Sequence, residues 1–153
     1  MIHITAPSAK NQQPWHLTAV TDQALLAEIN SGFIELTSDN PDLRPVVTAP
    51  GYSVFYHAPL VIFIACDRFN AYGPIDCGIA GENMALAAES LGLGTCFLGA
   101  PMLLLEHARG EPLARRLGIP PGHKSLLALA IGTADQPTQL KTRDESKITR
   151  LLG

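Results

Sequence analysis

The sequence predicts one domain in which strands and helices follow one another, and three observations carry that expectation. The 153-residue chain shows no internal repeat, low-complexity tract or linker, so residues 1–153 read as a single domain with 133–153 as a C-terminal arm. A chain of this size buries about 68–70% of its unfolded surface, enough for a full core. Ala58-Pro-Leu-Val-Ile-Phe-Ile-Ala-Cys66 and Ser125–Gly132 are apolar runs that suit strands covered on both faces, the first of them central in a sheet. Ile75–Leu91 reads as a helix apolar nearly all round, with Glu82 and Glu89 on one stripe, and such a helix must be covered nearly all round.

In chain order, the first eleven residues read as a loop, because Pro7 lacks an amide donor and Ser8 and Asn11 bond locally to backbone. His16–Val20 is apolar and β-branched, a strand. Thr21-Asp22 can cap a helix whose apolar positions Leu25, Leu26 and Ile29 follow helical spacing. Asn40–Gly51 contains Pro41, Pro45 and Pro50 and is expected on the surface without a long regular element. Gly92-Leu-Gly94 ends the apolar helix, Thr95–Leu98 is a short strand, and Gly99-Ala-Pro101 introduces a helical region from Met102. Glu111–Leu117 has Pro112 in its first turn, Arg115 and Arg116 near its end, Gly118 as stop and Pro120 beyond, each where helix-end physics favours it. The tail from Thr133 to Gly153 is polar and thinly apolar, and is expected to pack onto something rather than to form a core.

Composition narrows the function classes. Charged residues make up 16%, against roughly 25% in an average soluble domain. Eleven Lys and Arg face 14 Asp and Glu, a net charge of −3, with no block of like charge to meet a phosphate backbone or a membrane surface. Nucleic acid and membrane are therefore not expected as partners. The apolar run 58–66 falls far short of the roughly 20 residues that span a bilayer, and Met1–Gln13 lacks a secretory pattern, so the expected location is the cytoplasm. Cys66, Cys77 and Cys96 are odd in number and without CxxC spacing; all three are expected as buried free thiols. Five histidines show no HxxxH or HxH pairing, so no metal site is expected. Gly92-Leu-Gly94 approaches a dinucleotide fingerprint but has Phe97 at the third glycine position, Ala100-Pro101 stands where a Walker loop needs Lys and Ser/Thr, and no GxSxG elbow occurs.

One segment stands apart. Ala6-Pro-Ser-Ala-Lys-Asn-Gln-Gln-Pro-Trp15 packs two prolines, three carboxamides and the chain's only Trp into ten residues. Carboxamides offer donors and acceptors together, as the polar edge of a flat heterocycle requires, and prolines stiffen the backbone around them. The same composition suits a structural turn anchored on Trp15 equally well.

This segment resembles the APSxxNxQPW signature of the FMN-dependent nitroreductases. Phe55-Tyr-His-Ala-Pro-Leu-Val-Ile-Phe63, Asp76-Cys-Gly-Ile-Ala-Gly-Glu-Asn-Met84, Leu86-Ala-Ala-Glu-Ser-Leu-Gly-Leu-Gly-Thr-Cys96 and Leu117-Gly-Ile-Pro-Pro-Gly122 are similar to the family in the same order, so the resemblance runs from Ala6 to about Arg143. It implies an α+β fold with a central, mainly antiparallel sheet flanked by helices, in a homodimer holding two FMN molecules in clefts between subunits. By position it implies that Pro7, Ser8 and Asn11 line the flavin ring with Gln13 in support. Backbone amides around Leu98 and Gly99, in Phe97-Leu-Gly-Ala100, would then approach the ring. Lys141 and Arg143 resemble the family's C-terminal basic pair at the FMN phosphate. Family members begin with a helix carrying an Arg-Arg-Ser-x-Arg stretch that also grips the phosphate, and this sequence starts at Met1, a few residues before the signature. The implied activity is hydride transfer from NAD(P)H by way of the flavin to a small nitroaromatic, quinone or similar acceptor, with no side chain required as acid or base. The alternative is a non-catalytic or degenerate flavin-binding dimer.

Overall fold

In β2 (Leu60–Asp67) six consecutive residues, Val61 to Cys66, are buried, because both faces of the sheet are covered. The pleat sends successive side chains to opposite sides. Val61 and Phe63 enter one core with Ile29, Phe33 and Leu104, while Ile62, Ile64 and Cys66 enter a second with Cys77, Met84 and Ala88. The computed structural model describes residues 5–134, 142–149 and 151. β1 (Trp15–Val20), β2, β3 (Gly94–Leu98) and β4 (His123–Gly132) form a sheet in the order β1-β2-β4-β3, antiparallel at every pair. This is the α+β architecture, with the apolar run from Ala58 at the centre of the sheet as expected.

On one face lie α1 (Gln23–Thr37), α2 (Arg44–Val47), α4 (Met102–Leu105) and α5 (Glu111–Arg116); on the other lies α3 (Gly73–Ser90). Asp22 caps α1 as its position predicts, its carboxylate accepting from the amides of Ala24 at 2.9 Å and Leu25 at 3.2 Å. Gly92 and Gly118 stop α3 and α5 by the same device. Each has positive φ, and the next residue donates back into the last turn, Leu93 to the Ala88 carbonyl and Ile119 to that of Ala114. The proline-rich stretch after Asn40 holds a single turn, α2, whose Val47 is buried.

One expectation is unmet within a single chain, and another is corrected. Ile75, Ile79 and Leu86 of α3 remain 60%, 39% and 56% exposed, since the sheet covers one side of the helix and no described element of this chain covers the other. Cys96 is exposed, whereas Cys66 and Cys77 are buried: β3 is an edge strand, and of its residues only Leu98 is buried. Residues 142–149 and 151 of the tail are exposed.

Candidate functional site

The loop before β1 is wound far more tightly than its composition alone requires. Lys10, Asn11 and Gln13 all adopt left-handed backbone, with φ of 54°, 54° and 47°, a conformation that costs a side-chain-bearing residue roughly 1–2 kcal/mol, least for Asn. Hydrogen bonds hold it there. The Asn11 amide donates to the Ser8 carbonyl at 3.0 Å, the Gln12 amide to the Ala9 carbonyl at 3.1 Å, and the Gln13 amide to the Ser8 hydroxyl at 3.0 Å. The Gln13 side-chain amide donates to the Asn11 carboxamide oxygen at 3.1 Å, so two of the predicted site residues form one exposed polar pair. That leaves the side-chain amide hydrogens of Asn11 and the side-chain oxygen of Gln13 without a partner among the described residues, a donor and an acceptor on one exposed pair. Strain persisting at a surface loop because surrounding bonds over-determine it is a mark of function more than of folding.

Three attachments fasten the loop to the domain. The buried carboxylate of Asp76, on the first turn of α3, accepts the Ala9 amide at 3.1 Å. Asn70 donates to the Gln12 side chain at 3.1 Å, and the Asp67 amide to the Pro14 carbonyl at 3.3 Å. Reading the helix by its Glu82 and Glu89 stripe passes over Asp76; an acid inside an otherwise apolar stretch is the signal that marks it.

Leu98 and Gly99 lie elsewhere. Leu98 is buried in the core, so only its backbone is on offer. Gly99 follows it and lines a cavity of about 190 Å³ with Tyr52, Tyr56, Phe97 and Ala100 among others. A Cβ added at Gly99 would meet nothing within 4 Å, and among the described residues the Gly99 and Ala100 amides have no acceptor. Tyr56 and His57 here have φ of 53° and 56°, held by the Ser53 hydroxyl, which accepts from the Phe55 and His57 amides, and by the His57 ring Nε2 on the Gly51 carbonyl at 2.9 Å. Burial, and then the neighbouring Tyr56, push the Tyr52 hydroxyl pKa upward. Sequence reasoning missed Tyr52 and Tyr56, since no local pattern announces a left-handed tyrosine.

The structure does not bring the two halves of the predicted site together within one chain. None of residues 7–13 lines the Gly99 cavity, and β1 and β3 are the opposite edges of the sheet, three strand spacings or about 14 Å apart. Arg143 is exposed, and Lys141 lies outside the described residues. A larger cavity, about 410 Å³ among Arg68, Glu106, His107 and Pro120, contains none of the predicted residues. No group of three or more His, Cys, Asp or Glu among the described residues is arranged to hold a metal, and none of the described helices is long and apolar enough to cross a membrane.

Comparison with known proteins converges on one family. A protein of Methanothermobacter thermautotrophicus, provisionally named NADH dehydrogenase/NAD(P)H nitroreductase, is 30% identical over 118 residues, 74% of this chain and 52% of that protein. The chain thus spans about half the length of this curated relative. The solved structure of a Bacteroides fragilis nitroreductase with bound FMN superposes with a TM-score of 0.82 at 28% identity, over 97% of this chain and 81% of the other. A nitroreductase with bound FMN from Desulfitobacterium hafniense gives a TM-score of 0.83 at 29% identity, with coverage of 97% and 81%. With the model of the Nitroreductase family matching residues 3–133, most of its length, the chain belongs to the nitroreductase family.

Proposed function

We propose that this protein is an FMN-dependent oxidoreductase that uses NAD(P)H to reduce a small acceptor such as a nitroaromatic or a quinone, and that it works as a cytoplasmic homodimer. The observation that carries the reading is the strained Ser8–Gln13 loop, which holds the Asn11 and Gln13 carboxamides outward at some energetic cost. The residues present fit a flavin. Asn11 and Gln13 offer the mixed donor and acceptor edge that the ring's polar side needs, the free Gly99 and Ala100 amides offer donors, and a Cβ at Gly99 would meet nothing within 4 Å, so the backbone there is open to a ligand. FMN, when bound, supplies the carrier of two electrons between donor and acceptor. The chain's residues bind it, orient it and shield one side from water, and Lys141 and Arg143 are proposed to hold its phosphate.

A second copy answers both incomplete features. The loop at the β1 edge and the Gly99 cavity at the β3 edge do not line one common cavity within a chain, and the exposed Ile75, Ile79 and Leu86 of α3 form an apolar stripe that a partner would cover. Three cysteines without a disulfide support a reducing compartment.

The absorbance spectrum of the purified protein with added FMN, recorded before and after NADH or NADPH without oxygen, tests the reading. Retention of the yellow colour after desalting and its bleaching by the donor are expected. Failure to retain FMN overturns the proposal; retention without bleaching leaves a flavin binder that is not an enzyme.

A further inference from the structure

The hydrogen bonds inside the Ser8–Gln13 loop fix its shape, but they do not say how that shape is set against the rest of the molecule. The Asn11, Gln12 and Gln13 amides all find acceptors within the loop, whereas the Ala9 amide finds its acceptor on α3, in the Asp76 carboxylate 67 residues away. Asp76 is 3% exposed. Burying a carboxylate is costly unless it is hydrogen-bonded, and its place on the first turn of an 18-residue helix offsets part of that cost. An apolar residue would fill the space more cheaply and could not hold the loop.

We propose that Asp76 is a positioning residue, which through the Ala9 amide sets where the Asn11 and Gln13 carboxamides stand relative to α3 and the sheet. The consequence for cofactor binding rests on the FMN reading above; the attachment itself does not. Three variants separate the roles. Asp76→Ala removes the acceptor, and Asp76→Asn keeps one. Ala9→Pro removes the donor and leaves the acid in place; it is sterically permitted because Ser8, at φ −141° and ψ 154°, already has the extended backbone that precedes proline.

Two measurements read them. In the protein without flavin, trypsin cleavage after the exposed Lys10 reports the loop's attachment; in the protein with FMN, fluorescence quenching reports affinity. Asp76→Ala and Ala9→Pro are expected to be cleaved about tenfold faster and to bind FMN about tenfold more weakly, the scale of one lost hydrogen bond, while Asp76→Asn, which keeps an acceptor, stays close to wild type in both. If Asp76→Ala does not fold, Ala9→Pro decides alone. Wild-type cleavage and FMN affinity in the variants lacking the bond overturn the proposal, as does an Asp76→Asn protein as impaired as Asp76→Ala. A wild-type protein that binds no FMN defeats the flavin reading instead, and the cleavage rates still decide the attachment.

Discussion

Glu106 serves Ser125 as a neighbouring strand would. Its Oε1 accepts the Ser125 backbone amide at 2.7 Å while its Oε2 accepts from the Arg68 guanidinium at 2.7 Å. β3 ends at Leu98, opposite Ala128, so the first part of β4 has no strand on that side. Just there the pairing with β2 shifts, Ile64 facing Leu127 and Ala65 facing Ser125, with Leu126 as the extra residue of a bulge. Glu106→Ala is expected to cost about 1–3 kcal/mol by leaving the amide unpaired, a fall of several degrees in melting temperature. Glu106→Gln, which keeps Oε1, should lose less. Equal melting of Glu106→Ala and wild type would show that water replaces the carboxylate without loss.

Asn11 is proposed to serve the site through its carboxamide, and its left-handed backbone shapes the loop; the two are separable. Asn11→Gly keeps the backbone at ease and removes the carboxamide, so FMN affinity should fall by about 1–3 kcal/mol with little loss of stability. Asn11→Ala should lose the same affinity and melt lower as well, because Ala at φ 54° is strained. Titration of both variants with FMN, beside thermal melts without it, checks this. Unchanged affinity in Asn11→Gly would leave the residue as a turn former only.

The phosphate is proposed to be held by Lys141 and Arg143. Replacing both by Ala should weaken FMN binding strongly and riboflavin binding hardly at all, since riboflavin has no phosphate, and the FMN loss should shrink as salt is raised. Fluorescence quenching with both ligands measures it. Equal FMN affinity in wild type and the double variant would place the phosphate contacts elsewhere.

The thiols should react in a fixed order. Cys96 is exposed, while burial, reinforced by the neighbouring Cys66 thiol, pushes Cys77 up to about 12 from an ordinary value of 9.0. A thiol reagent at neutral pH should therefore label one cysteine per native chain, and all three in denaturant. Because the raised value belongs to the folded state, the unfolded chain loses its Cys77 proton first. Stability from this group is complete below about 9 and declines as the pH rises from there toward about 12. Cys77→Ala should flatten that alkaline decline in denaturant titrations; an unaltered slope would assign it to other groups.

Charge on the uncovered stripe of α3 should break the proposed dimer. Wild type is expected at twice the 16.3 kDa of one chain, with an interface above roughly 2,000 Å² in total. Ile79→Glu, at the middle of the stripe, should bring light scattering down to the single-chain mass and weaken FMN binding with it. A wild-type monomer at micromolar concentration would remove the second copy from the site.

Sequence alone determined the order and extent of most elements, because those signals are local. Asp22 as a cap, Gly92 and Gly118 as helix stops and the unbroken apolar run of β2 each act within a few residues of where they stand, and the signature from Ala6 to Trp15 marked the loop that carries the polar edge. What only the tertiary structure decided depends on who stands beside whom. The sheet order put β3 at an edge and so exposed Cys96, set the loop and the Gly99 cavity on opposite edges, and brought Asp76 to Ala9 and Glu106 to Ser125. Such pairings between residues far apart in the chain leave no periodicity to read: each partner looks ordinary in its own window, and their meeting is fixed by the strand order and the packing of α3 and α4 against it.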